Sequence, residues 1–267
     1  MLRRLATLWT NFLRSFARGG HVRGLVLGVA VGGASGLAAS GFFLAIEAAK
    51  HWMLTGLAGL TLPAPAGEGL FHALAGPYRP WLIPLFLAGV GLVTGLLVSR
   101  YIPETVRGGT DGTDAMINAF HNQGGVIRPR VPIIRGLMAI LTISAGGSAG
   151  REGPISQIGA GLGSYIAQRL RLTPKQRRLL LLAGAAGGLG AIFRAPLGGA
   201  LTAIEVIYKE DFESEAILPA VISSVEAYSI FTFFFGTAPM FGIPQFSFRS
   251  AAELPFYALL ALFCAGT

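Results

Sequence analysis

The stretch Gly150-Arg151-Glu152-Gly153-Pro154 sets a carboxylate among glycines, directly before a proline. It separates two short apolar runs, 136–145 and 155–167, so the carboxylate is expected at membrane depth. A charged glutamate there costs at least about 2–3 kcal/mol, and side chains kept at that cost mostly line an ion or substrate path. Proline at the first position of a helix removes an N–H that had no partner anyway, so a helix start is expected here. Amides near Gly153, Ile155 and Ser156, with the positive end of that helix, would then make an anion site. Gly150, Arg151, Gly153 and Ile155 form the expected anion-binding group, supported by Pro154. Glu152 is the expected gate, a tethered anion that fills the site when charged and opens it when protonated or displaced. Gly146, Gly147, Gly150 and Gly153 allow the backbone to approach closely. The plainer alternative is an ion pair between Glu152 and Arg151.

Another chemistry is conceivable from Ser148 as nucleophile with His121 as base, an intramembrane serine hydrolase. His121 lies in a polar segment and Ser148 near the apolar hairpin's turn, so a contact of about 3 Å is not expected. Gly159-Ala160-Gly161-Leu162-Gly163 imitates a dinucleotide loop but follows no strand, and these glycines are expected to pack helices. Cys264 is the only cysteine, which rules out an intrachain disulfide and offers no metal spacing; neither metal nor cofactor is expected.

The elements that must hold these residues are apolar helices. Of 267 residues, 52% are hydrophobic and only 13% charged, which points to lipid as the solvent. The net charge of +8 sits in short clusters between apolar runs rather than in a stripe; it fits positive-inside loops and not nucleic-acid binding. Leu2, Leu5, Leu8, Trp9, Phe12, Leu13 and Phe16, with Arg3, Arg4, Arg14 and Arg18 around them, predict an amphipathic helix over residues 1–21 on the cytoplasmic surface. An organellar presequence is the alternative for that segment.

A first span is expected over 22–50 and a second over 81–99, followed by a polar cytoplasmic segment, 100–135. Runs 136–145 and 155–167 then form a hairpin of broken helices between the basic flank ending at Arg135 and the cluster Arg169, Arg171, Lys175, Arg177, Arg178. Runs 179–192 and 197–207 repeat that pattern around Phe193-Arg194-Ala195-Pro196, and 217–235 is a further apolar stretch. The predicted fold class is an all-α polytopic membrane protein with re-entrant helices. A bacterial plasma (inner) membrane, with the N-terminus cytoplasmic, is the expected location.

Gly150-Arg151-Glu152-Gly153-Pro154 with Gln157-Ile158-Gly159, Ala183-Gly184-Ala185-Ala186-Gly187, Phe193-Arg194-Ala195-Pro196-Leu197-Gly198-Gly199 and Ala203-Ile204-Glu205 resembles the CLC family of chloride channels and chloride/proton antiporters. The match in order and spacing runs from about residue 100 to 208. It implies an anion transporter for chloride or a similar small anion, embedded in lipid, in which Glu152 is the external gating glutamate. It also implies a homodimer with one pore per subunit, its interface including 197–207 and the segment from Ile217 onward. Residues 22–250 would be the first half of an inverted-repeat fold, and 251–267 the start of the second.

Where the family usually has Gly-Ser-Gly-Ile-Pro, this chain reads Gly108-Gly109-Thr110-Asp111-Gly112-Thr113-Asp114, which makes Thr110 or Thr113 the candidate replacement for the family serine. Asp111 or Asp114 would cap that helix. Phe193, Pro196 and Glu205 match pore-supporting positions. Antiporters of the family commonly carry two adjacent glutamates where this chain has Glu205-Val206, a pattern closer to family channels. Channel and proton-coupled antiporter both stay open, as does a non-conducting assembly subunit.

Overall fold

The computed structural model describes residues 20–61, 69–71, 77–103, 112–208, 211–238, 247–248 and 250–266. All regular elements among them are helical: α1 (Gly20–Lys50), α2 (Leu82–Tyr101), α3 (Gly112–Asn122), α4 (Arg130–Ser144), α5 (Glu152–Arg169), α6 (Pro174–Ile192), α7 (Pro196–Glu205), α8 (Ile217–Phe235) and α9 (Leu254–Gly266). The helix expected over residues 1–21 lies outside the described residues except at its end, where residues 20 and 21 already belong to α1. Three segments, Gly24–Leu57, Leu82–Tyr101 and Ser214–Phe235, are long and apolar enough to cross a membrane.

α6 is the centre of the molecule, with every residue from Leu180 to Ile192 buried. Its start is fixed locally by a capping box, in which the Thr173 hydroxyl accepts from the Gln176 amide while the Gln176 side chain accepts from the Thr173 amide, and by Pro174 at the first position. The rest of α6 is largely Gly and Ala, so neighbouring backbones can close on it from several sides. α5 runs antiparallel to it: a side-chain carbon on Gly159 would overlap the Gly184 carbonyl, and one on Gly163 the Leu180 carbonyl. The expectation of packing glycines at 159 and 163 therefore holds. α8 and α1 close the other side, with Gly32 and Gly36 of α1 against the backbone at Ser223 and Ala227 of α8.

Several boundaries differ from the sequence expectation. α1 continues beyond the expected end of the first span as a π-helical stretch, His51–Leu57; His-Trp-Met-Leu-Thr-Gly-Leu has no proline to stop it, and Met53 and Leu54 are buried. α4 starts at Arg130, six residues before the expected apolar run, because Pro132 sits in its first turn, where a missing N–H breaks no helical bond. Arg135 consequently lies inside α4 rather than in a flanking loop.

Candidate functional site

α4 ends on Gly146, whose φ of +90° closes the helix: the Gly147 amide donates to the Thr142 carbonyl (2.9 Å) and the Gly146 amide to Ile143 (3.1 Å). That pair of bonds is the Schellman arrangement, which glycine adopts without steric cost. The chain then runs exposed through Ser148, Ala149 and Gly150 and starts α5 at Glu152. Pro154 is thus the third helical residue and not the first. The Ile155 amide already donates to the Arg151 carbonyl (3.1 Å), and Pro154 has no N–H. The donors left without an intrahelical acceptor are therefore Glu152 and Gly153. Ile155, fully buried, contributes to the core and not a free amide, against expectation.

The start of α3 meets the start of α5. A side-chain carbon at Gly112 would overlap the Gly153 carbonyl, so two helix N-termini converge where α5 begins. Each carries about half a positive charge. Beside them lies a cleft of about 590 Å³, lined among others by Thr113, Arg135, Thr142, Glu152, Gly153 and Gln157. Gly150 and Pro154 also border it. The Glu152 carboxylate folds back over Gly150, into the space that a side chain there would occupy. Two helix starts, Arg135 and the exposed Glu152 carboxylate thus border one cleft.

Of the residues expected from sequence, Glu152, Gly150, Gly153, Pro154 and Thr113 come together at the cleft, while Thr110 and Asp111 lie outside the described residues. Asp114 is exposed in the first turn of α3. Arg151 points elsewhere: its guanidinium stands 5.8 Å over the ring of Phe43, inside an aromatic cluster with Phe231 and Phe235. Arg135 is the cation that lines the cleft instead. Arg135, Met138, Ala139 and Thr142 share one face of α4 at helical spacing, a pattern that emerges only once the helix begins at Arg130.

Phe193, Arg194 and Pro196 form the break between α6 and α7. Arg194 occupies the left-handed position (φ 54°) of a second Schellman arrangement, with Ala195 donating to Gly190 (3.1 Å) and Arg194 to Ala191 (3.2 Å). Pro196 begins α7, and its carbonyl accepts from the Ser224 hydroxyl (2.7 Å). Gly188 packs on Ile155, Gly184 on Gly159 and Leu180 on Gly163; continuing that register sets Ile192 level with Arg151. Both breaks therefore lie at the same height of the bundle, although Phe193 and Pro196 do not line the cleft. Glu205 lines a different cleft of about 740 Å³ at the end of α7, with Tyr208 and Asp211. There burial, and then a hydrogen bond to Glu213 (2.9 Å), holds the Tyr208 hydroxyl above the usual tyrosine range.

The Ser148–His121 dyad does not form. His121 is at the far end of α3 from Gly112, with Nε2 2.8 Å from the Ile207 carbonyl, whereas Ser148 lies in the turn before α5. Its partner is thus a backbone carbonyl about 13 Å along α3 from the α5 start.

A family model described as "Voltage gated chloride channel" matches residues 90–267. Uncharacterized protein MJ0305 of Methanocaldococcus jannaschii is 35% identical over 68% of this chain and 44% of its own length. The H(+)/Cl(-) exchange transporter ClcA of Cronobacter sakazakii is 30% identical over 79% of this chain and 46% of its own. Among solved structures, a slow cyanobacterial Cl-/H+ antiporter superposes with a TM-score of 0.72 at 22% identity, over 90% of this chain and 53% of that one. The chain thus spans about half the length of the relatives it matches.

Proposed function

We propose, from the premise that the chain belongs to the voltage gated chloride channel family, that it carries small anions such as chloride across a membrane, gated by Glu152. One observation carries this reading: two helix N-termini close on a cleft that holds Glu152 and is lined by Arg135. Backbone amides and helix ends attract an anion without holding it as tightly as a fixed ion pair would, which conduction requires. The Glu152 carboxylate competes for the same positive field, so protonation or displacement of Glu152 frees the site. The chain acts as a transporter and not as an enzyme.

Proton coupling is the second reading. It is favoured by the exchange-transporter and antiporter relatives, and opposed by Val206, which stands where family antiporters carry a second glutamate. The exposed Arg169, Arg171 and Lys175 in the basic turn between α5 and α6 support a reading in which that end faces the cytoplasm of a bacterial inner membrane and the two breaks lie within the bilayer. Exposed Leu197, Leu201, Leu218 and Val225 on α7 and α8 supply an apolar face for a second copy in a homodimer. Residues 22–250 serve as the first half of an inverted repeat, completed by a second half beginning near residue 251.

The test is chloride efflux from liposomes containing the protein at its natural full length. Wild type is expected to release chloride with a pH-dependent rate, and Glu152→Gln to remove the pH dependence. Equal flux and equal pH response in the two proteins would refute the assignment. A reversal potential fixed by chloride alone, under opposed chloride and proton gradients, would identify a channel.

A further inference from the structure

We infer that the side chain of Gln157 is a ligand of the transported anion and sets which anions the cleft prefers, an inference that rests on the cleft being an anion path. Gln157 is fully buried, yet neither Nε2 nor Oε1 has a hydrogen-bond partner among the described residues. It lines the cleft that holds Thr113, Arg135 and Glu152. A buried carboxamide without partners is unfavourable, so its retention calls for a ligand or a partner that arrives there.

The other polar side chains packed along α5 make the contrast. The Ser156 hydroxyl donates to the Gly153 carbonyl (2.9 Å) and the Ser164 hydroxyl to the Gly125 carbonyl (2.6 Å). Gln168 donates to the Ile127 carbonyl (3.3 Å) and to the Ser164 hydroxyl (3.0 Å). α5 thus satisfies its other inward polar groups within the protein and leaves the amide of Gln157, a residue of the cleft lining, without a partner among the described residues.

Gln157 follows Glu152 by five residues, about 7.5 Å along the axis, which sets it one step deeper than the gate. A carboxamide offers two N–H donors and no charge, so it binds an anion more weakly than Arg135 would and can release it. Small anions with concentrated charge accept stronger hydrogen bonds than large diffuse ones. Gln157 therefore favours chloride over an anion such as thiocyanate, and it hands the ion on from the Glu152 position.

The test follows the melting temperature of the full-length protein against chloride concentration, which reads anion binding by linkage, together with chloride and thiocyanate efflux from liposomes. In Gln157→Met, of similar size but without donors, the midpoint chloride concentration should rise about tenfold, as expected for one hydrogen bond to a charged group. The chloride-to-thiocyanate preference should fall, and the melting temperature without chloride should stay level or rise. Gln157→Glu, also of similar size, sets a carboxylate against the ion and should weaken binding further. An unchanged midpoint and preference in both variants overturns the inference. So does a lower melting temperature without chloride at an unchanged midpoint, which would mark Gln157 as bonded to another part of the protein. If wild type shows neither a chloride-dependent shift nor flux, the anion-path reading itself fails.

Discussion

Gly112 and Gly153 touch backbone to backbone at the point where α3 and α5 both begin, with no room for a side-chain carbon on Gly112. These residues are 41 positions apart in the chain, with the whole of α4 between them. Their contact brings the first turns of two helices together, where the positive end of each macrodipole is felt.

The contact is asymmetric, and that gives the first prediction. A methyl group on Gly112 overlaps the Gly153 carbonyl, whereas one on Gly153 would find the Gly112 amide nitrogen at 3.7 Å and its Cα at 4.0 Å, ordinary packing distances. Gly112→Ala should cost about 1–3 kcal/mol and reduce chloride flux as α3 is pushed away. Gly153→Ala should stay within about 0.5 kcal/mol of wild type. Thermal melting in detergent and liposome efflux measure both.

How much of this was legible in the sequence differs by residue. Glu152 could be found because a carboxylate between apolar runs is costly in lipid unless it serves a path, and the proline beside it marks a helix start. The run 217–235 was bounded correctly by its apolar character alone. Arg135 could not be placed, since with Arg128, Arg130 and Pro132 it reads as a polar flank; only a helix beginning at Arg130 turns it onto the cleft. The direction of the Arg151 side chain is hidden for a related reason. Adjacent residues on a helix start point in different directions, and the aromatic cluster that receives its guanidinium comes from α1 and α8. The contact of Gly112 with Gly153, and the isolation of Gln157, are tertiary facts without a local signature.

The α5–α6 interface supplies a second prediction. Gly159 and Gly184 meet backbone to backbone, as do Gly163 and Leu180. Gly159→Val should destabilise the protein by about 3 kcal/mol or more, because neither facing group is a side chain that can rotate away. Loss of the monodisperse peak in size-exclusion chromatography, or a melting temperature lower by several degrees, checks it.

Two arginines in the left-handed region allow a controlled comparison. Arg171 (φ 50°) and Arg194 (φ 54°) both close helices where glycine is unstrained. Arg171→Gly should stabilise by about 1 kcal/mol, since Arg171 is exposed. Arg194→Gly should gain less, because the Arg194 guanidinium donates to the Ala238 carbonyl and stands 5.9 Å over the Phe231 ring. Melting temperatures of the two variants decide the order.

Tyr208 donates to Glu213 and so ties the end of α7 to the segment leading into α8. Tyr208→Phe should cost about 1 kcal/mol at neutral pH. Burial, followed by the Glu213 hydrogen bond, raises the folded-state pKa of the hydroxyl. The contribution is therefore full below the ordinary tyrosine value of about 10 and declines as pH rises through the raised value. Denaturant titrations of wild type and variant at neutral and strongly alkaline pH should converge at the alkaline end.

The most direct measurement is anomalous diffraction from crystals of the full-length protein grown in bromide. A bromide peak in the cleft beside the Gly153 amide, moving or strengthening in Glu152→Gln, is the predicted result. Well-ordered crystals with bromide peaks elsewhere and none at the joined starts of α3 and α5 would contradict the account.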